Sequence, residues 1–235
     1  MLTPPKKTTE LEERSESLER ARDQRTRIAL LPHLSCVDLA KMLLGMTLCR
    51  DVAGKVLSGV IVETEAYLGP EDRACHSSGG RRSSRNEALY MKEGTCYVYI
   101  VYGIHHCFNI SSREPGAGVL VRALQPLCGL DLMRLHRESP KTAKRRALHR
   151  PEDIANGPAK LCVALRISKT EIDREDLLSS TKIWLEEGRE VSEAEVGVSK
   201  RIGLRNAGEW GELPLRFYIK DTVYLSCRRK RGGSS

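Results

Sequence analysis

The 235-residue sequence has no run of about 18 consecutive apolar residues, so no membrane-spanning helix is expected and no membrane partner is implied. Its first 27 residues contain no apolar stretch of the kind that marks a secretory signal. Eight cysteines (36, 49, 75, 96, 107, 128, 162 and 227) form no CxxC pair and show no zinc-ligand spacing. That pattern argues against a disulfide framework and a structural zinc; the thiols are expected to stay reduced as small core hydrophobes. HExxH, GxxxxGK[ST], GxGxxG and a Ser-centred GxSxG elbow are all missing, and so is the zinc-deaminase pair HxE…PCxxC. No internal repeat and no regular βαβ rhythm occur. With hydrophobic residues at 40%, collagen-like, coiled-coil and wholly disordered readings fail as well.

Positive charge is present in excess. The formal net charge is +8, and residues 1–27 contribute seven Lys/Arg against six Asp/Glu, so nearly all the excess sits in the body. A basic body points to a polyanionic partner. Residues 1–27 pair two prolines, Pro4 and Pro5, with dense mixed charge and almost no apolar side chains. Such a segment buries too little to offset the entropy of ordering, so a disordered arm is expected, compatible with a transient solvated helix over 10–22. A folded domain is expected over 28–227. The basic run Arg228-Arg229-Lys230-Arg231, followed by Gly-Gly-Ser-Ser, reads as a disordered tail over 228–235, suited to phosphate or a nuclear address.

Within the body, Cys36–Leu44 reads as a helix stopped by Gly45, and Gly59–Tyr67 as a strand. Alternation along that strand puts Val60, Val62, Thr64 and Ala66 on a core face, and Glu63, Glu65 and Tyr67 on the other. Residues 77–86 (SSGGRRSSRN) read as a flexible cationic loop. Residues 97–102 and 107–110 form a hairpin around Gly103, and Val119–Leu124 a further strand. Short helices are expected over Gly129–Leu135 and Ala159–Leu165, and the stretch Leu213–Leu225 is strand-rich. The mixture gives a single compact α+β domain, with a curved, mostly antiparallel sheet, a protruding hairpin and flanking helices.

Candidate chemistry sits in a few places. Glu65 is either half of an exposed charge pair with Glu63 or a general base whose ionisation its neighbours set. His76 is a solvated loop histidine or a ligand contact. Tyr97, Tyr99 and Tyr102 crowd one hairpin; they are packed strand residues, or the tip tyrosine is a wedge for a base stack. Asn109 is out of place in a strand and needs partners for its amide. Arg122 is a single cation in an apolar strand and wants a carboxylate, with Glu65 the candidate.

Together, Val62-Glu63-Thr64-Glu65-Ala66-Tyr67-Leu68-Gly69-Pro70-Glu71-Asp72, His76, Tyr97–Gly103, Asn109-Ile110-Ser111 and Gly157-Pro158-Ala159-Lys160-Leu161 resemble the alkyladenine (3-methyladenine) DNA glycosylase family. The resemblance continues through Ala207-Gly208-Glu209-Trp210 and Pro214–Tyr218, covering about residues 28–220 in the same order. It implies a monofunctional enzyme of base excision repair without metal or cofactor. Its partner would be double-stranded DNA carrying 3-methyladenine, 7-methylguanine, hypoxanthine or ethenoadenine. Glu65 then resembles the base that activates water, and Arg122 the side chain that helps hold that water together with the backbone carbonyl at Ile202. Tyr67, His76 and Tyr99 resemble the walls around a flipped base. Asn109 resembles the obstacle to the exocyclic amine of guanine, and Tyr102 the wedge. His105-His106 departs from the family, where relatives often carry an aromatic.

Arg81, Arg82, Arg85, Lys144, Arg145, Arg146 and Lys160 are candidate phosphate contacts. A monomer is expected, nuclear in a eukaryote and otherwise cytoplasmic. The rival readings are a catalytically silent nucleic-acid-binding module, and a carbohydrate hydrolase using Glu63 and Glu65.

Overall fold

An eight-stranded antiparallel sheet organises the chain in a computed structural model that describes residues 33–138, 150–204 and 206–227. Its strands are β1 (Thr47–Val52), β2 (Lys55–Tyr67), β3 (Cys96–Val101), β4 (His105–Ser111), β5 (Gly118–Cys128), β6 (Ile183–Glu186), β7 (Val196–Ser199) and β8 (Arg216–Ile219). The order is β3-β4-β5-β2-β1-β6, with β8 between β2 and β7. Strand β2 is the axis: β5 runs along one edge, while β1 and then β8 share the other. The sheet does not close into a barrel.

Among the described residues four α-helices flank it: α1 (Cys36–Met42), α2 (Leu130–Arg137), α3 (Pro158–Ala164) and α4 (Lys169–Ile172). Helix α1 starts where Ser35 accepts a hydrogen bond from the Asp38 amide, and Asp38 also suits the positive end of the helix. It ends at Met42, and the chain turns away through Gly45, whose φ of +86° a side chain resists. A Cβ there would lie 2.2 Å from the Arg189 carbonyl. Leu39, Ala40, Leu43 and Leu44 turn inward from α1, and the Thr64 hydroxyl donates to the Ala40 carbonyl, pinning β2 beneath it. Phe108, Ile61, Ile110, Leu124 and Leu161 complete the middle of the main core. A second, smaller cluster of Ala88, Leu89 and Tyr97, with Tyr90 and Tyr99 against it, lies beside the site described below.

The structure extends and corrects the sequence expectations. Strand β2 begins at Lys55, because Ala53 and Gly54 take positive φ values (+52° and +80°) and close a two-residue hairpin with β1, which the sequence reading did not contain. Strands β6 and β7 and helix α4 add to the elements that the sequence predicts, while Leu213–Leu225 holds only β8. The 77–86 segment is a built turn, not a loose loop. Asn86 accepts from the Ser83 amide at 2.8 Å and donates to the carbonyls of Arg81 at 2.8 Å and His76 at 3.2 Å. Six of the eight cysteines are buried; Cys128 and Cys227 are exposed, and all eight are free. Among the described residues no helix is long and apolar enough to cross a membrane. The arm over 1–27, the tail over 228–235, and Lys144, Arg145 and Arg146 lie outside the described residues.

Candidate active site

Two irregularities in the β2–β5 ladder shape the site. Ile61 pairs with Leu124 and Glu63 with Ala123, so Val62 is the extra residue on β2; Thr64 then pairs with Val121, so Arg122 is the extra residue on β5. Bulges re-aim side chains, and here they bring Arg122 against both carboxylates of β2. Its Nε donates to Glu63 Oε1 at 2.9 Å, and its Nη1 lies 3.1 Å from Glu65 Oε2. Glu63 and Glu65 are completely buried, which removes the exposed charge-pair reading. Arg122, which the sequence pattern pairs with Glu65, is shared between the two carboxylates.

The two carboxylates differ in environment. On Glu63, burial alone would raise the carboxyl, but Arg216 and Arg122 outweigh it and hold Glu63 below the usual carboxylate range. On Glu65, burial prevails over Arg122, the Ile202 amide and the Tyr67 hydroxyl, so the carboxyl lies above its ordinary value. The Tyr67 hydroxyl donates to Glu65 Oε2 at 2.9 Å, and the Ile202 N–H donates to Oε1 at 2.7 Å. Burial and the Glu65 charge push Tyr67 itself up, so it stays a donor. Neighbouring titratable groups driven in opposite directions are a common mark of acid–base chemistry.

Tyr67 also faces a cavity of about 130 Å³, lined with His76, Tyr97, Tyr99, Asn109, Leu89 and Leu204 among others. Cavities of about 150 Å³ accept a single aromatic ring. The rings of Tyr97 and Tyr99 stack at 5.5 Å, and His76 stands edge-on to Tyr99 at 4.5 Å, with its Nδ1 2.7 Å from the Tyr97 hydroxyl. Partial desolvation of the ring, helped by the Arg81 charge, holds His76 below the ordinary imidazole value although the residue is exposed at the cavity mouth. The Asn109 amide donates to the carbonyls of Tyr97 at 3.1 Å and Cys107 at 3.4 Å, which answers the question its place in a strand raised.

The hairpin of β3 and β4 carries an apolar tip. Tyr102 is 90% exposed at φ +53°, and Ile104 and Ile100 beside it are 71% and 47% exposed. His105 and His106 begin β4 immediately after this tip.

The cationic candidates are dispersed. Arg82 spends its charge on Glu87, at 2.6 and 3.0 Å, and lies over the Tyr90 ring. Arg81 donates to the Ser78 carbonyl, Arg85 is exposed, and Lys160 is half-buried with its Nζ 2.7 Å from Asn156 Oδ1. Among the described residues no three His, Cys, Asp or Glu side chains converge to hold a metal ion.

One important residue escaped the sequence reading. Arg201 is buried and makes a two-pronged pair with Asp72, at 2.5 and 3.0 Å. It donates further to the carbonyls of Ala66 and Trp210, and its guanidinium lies 4.6 Å over the Tyr67 ring. It therefore backs the cavity wall and anchors the segment that presents Ile202. The only local signal was Asp72, at the end of the Gly69-Pro70-Glu71 turn.

A family model described as methylpurine-DNA glycosylase (MPG) matches residues 31–223. The "Probable DNA-3-methyladenine glycosylase" of Encephalitozoon cuniculi is 57% identical over 198 residues, covering 84% of this chain and 91% of the relative. The DNA-3-methyladenine glycosylase of Homo sapiens is 47% identical over 192 residues, covering 81% of this chain and 64% of that protein. Its counterpart in Mus musculus is also 47% identical, with 58% of its length covered. On a family match that spans most of the chain, and on relatives of this identity, the chain belongs to the methylpurine-DNA glycosylase family.

Proposed function

We propose that this DNA glycosylase rotates an alkylated or deaminated purine out of the duplex and hydrolyses its N-glycosidic bond with a water activated by Glu65, leaving an abasic site. The observation that carries the reading is Glu65 itself. It is a fully buried carboxylate with a raised pKa, held by Tyr67, Ile202 and Arg122, and separated from an aromatic cavity by one tyrosine. A base in a stacked duplex is out of reach, and extruding it costs a few kcal/mol. Tyr102 at the hairpin tip fills the gap it leaves. Stacking of the base among Tyr67, His76 and Tyr99 returns roughly 1–3 kcal/mol, with a cation–π gain for an alkylated, positively charged purine. Asn109, pinned by two hydrogen bonds, is a fixed obstacle to an exocyclic amine.

In the chemical step the water oxygen bonds to the anomeric carbon, its proton passes to Glu65, and the base departs with the electrons of the C–N bond. An alkylated purine sheds its positive charge as it leaves, so a single carboxylate suffices. Neutral hypoxanthine departs as an anion unless a proton from solvent reaches its ring, so it needs more help at the leaving group. Glu63 is a poor general acid, because two arginines keep it ionised; this disfavours the two-carboxylate sugar-hydrolase alternative.

The test is a single-turnover assay on labelled duplexes containing one hypoxanthine or one methylated purine. Alkali-dependent cleavage at the lesion is expected. Cleavage without alkali contradicts monofunctional chemistry, and binding without cleavage of either duplex restores the silent-module reading. The wedge has its own prediction. Tyr102→Ser should weaken lesion-duplex binding roughly 10- to 100-fold, the worth of one lost stacking contact. Folding stability should change by no more than about 0.5 kcal/mol, since Tyr102 is 90% exposed. Unchanged affinity removes it from that role.

A further inference from the structure

Glu63 is a fully buried carboxylate to which the scheme above gives no step. Four donors meet on it. Arg122 Nε at 2.9 Å, Arg216 Nε at 2.7 Å and the Ser226 hydroxyl at 2.7 Å reach Oε1, and the Ser226 N–H reaches Oε2 at 2.6 Å. Arg216 in turn donates from Nη1 to the Ser199 hydroxyl at 2.9 Å. Ser199 ends β7, three residues before the Ile202 amide that binds Glu65. Arg122 reaches Glu65 directly. The Ser226 oxygen lies 3.2 Å from Arg122 Nη2, so the chain beyond β8 touches this arginine as well. Glu63, Glu65, Arg122 and Arg216 together are electrically balanced, a condition buried charges require.

We propose that Glu63 is a positioning residue: it fixes Arg122 on one side and, through Arg216 and Ser199, the Ile202 segment on the other, so that both donors meet Glu65. Ser226 is the latch that fixes Glu63. The proposal rests on the reading of Glu65 as the base. Besides Arg122 from β5, the charged and titratable groups facing Glu65 are Glu63 and Tyr67 on β2, Tyr99 on β3 and Cys107 on β4.

Glu63→Gln keeps the shape and one acceptor oxygen but removes the charge. The maximal single-turnover excision rate should fall on the order of 10-fold or more, as expected when reacting groups lose alignment. Lesion-duplex affinity should stay within about threefold. Loss of the neighbouring negative charge draws the acid limb of the rate to lower pH, while any displacement of Arg122 draws it back; the fall in the plateau rate, which loss of a like charge alone does not cause, is the mark of lost positioning. A merely structural role would lower the folded fraction and leave the plateau rate of the folded protein unchanged. Ser226→Ala should slow excision less, leave the limb in place, and be rescued by Ser226→Thr; these variants decide the matter if Glu63→Gln does not fold. Titration of ¹³C-labelled Glu65 in the free protein gives the same shift without any turnover. A wild-type plateau rate in folded Glu63→Gln, or a Glu65 titration identical to wild type together with a wild-type rate in Ser226→Ala, overturns the proposal. An inactive wild-type protein instead overturns the Glu65 reading, and the titration still reports whether Glu63 acts on Glu65.

Discussion

Glu65→Gln retains lesion-duplex binding and loses excision, by roughly 10²- to 10⁴-fold, the usual worth of a positioned general base. The amide preserves the shape of the side chain and one acceptor for the Ile202 N–H, so the cavity walls and the hairpin tip are left as they are. What disappears is the capacity to take a proton from water. The pH dependence carries a second signature. Burial raises the Glu65 carboxyl above the ordinary glutamate value of about 4.3 in spite of Arg122, the Ile202 amide and Tyr67. The base form is present above that raised value and is lost as pH falls through it. The wild-type rate therefore declines on the acid side at a higher pH than a solvated glutamate would give, and the residual Glu65→Gln rate lacks this limb. Single-turnover rates from about pH 4 to 8, with binding measured separately, check both points. Weakened binding with normal excision removes Glu65 from the chemistry.

Much of this site is written in short-range pattern. The period-two alternation of β2 set Glu63, Glu65 and Tyr67 on one side, and the Tyr97–Tyr102 run around Gly103 marked the hairpin. Arg122 stood out as a cation among Val, Leu and Ala, which signalled a buried partner. The bulges at Val62 and Arg122 carry no comparable signal, since a bulge depends on which strands pair and in what register. That is why Arg122 reads as the partner of one carboxylate and proves to serve two. Strands β6 and β7 are four residues each, too short for alternation to rise above chance. Arg201 and Ser226 sit in sequence that looks like ordinary polar surface, and Arg216, though inside a strand-rich stretch, shows no sign of its partner. Their meaning arises only when the chain folds them onto Asp72 and Glu63, more than a hundred residues away.

Asp72 illustrates how such long-range pairs bind fold and site together, and its removal should be the most destabilising of the changes considered. The carboxylate is fully buried, receives two hydrogen bonds from Arg201, and accepts the backbone amides of Leu68 at 3.1 Å and Ala74 at 2.9 Å. Asp72→Ala leaves a buried guanidinium without its counter-charge and two backbone donors without partners. Breaking a buried pair in this way costs about 3–5 kcal/mol, more than the pair itself contributes relative to an apolar replacement. Replacing both partners, Asp72→Leu with Arg201→Met, should therefore be less harmful than Asp72→Ala alone, although the Ala66 and Trp210 carbonyls still lose a donor. Excision should fall in the double variant even where it folds, because Tyr67 loses the cation behind its ring and the Ile202 segment loses its anchor. Urea unfolding of the two variants beside the wild type supplies the comparison. A loss below about 1 kcal/mol for Asp72→Ala would show that the pair is not sealed from solvent. A double variant worse than the single one would mean that the contacts of Arg201 with backbone carbonyls and Tyr67, rather than its charge balance with Asp72, hold this side of the site in place.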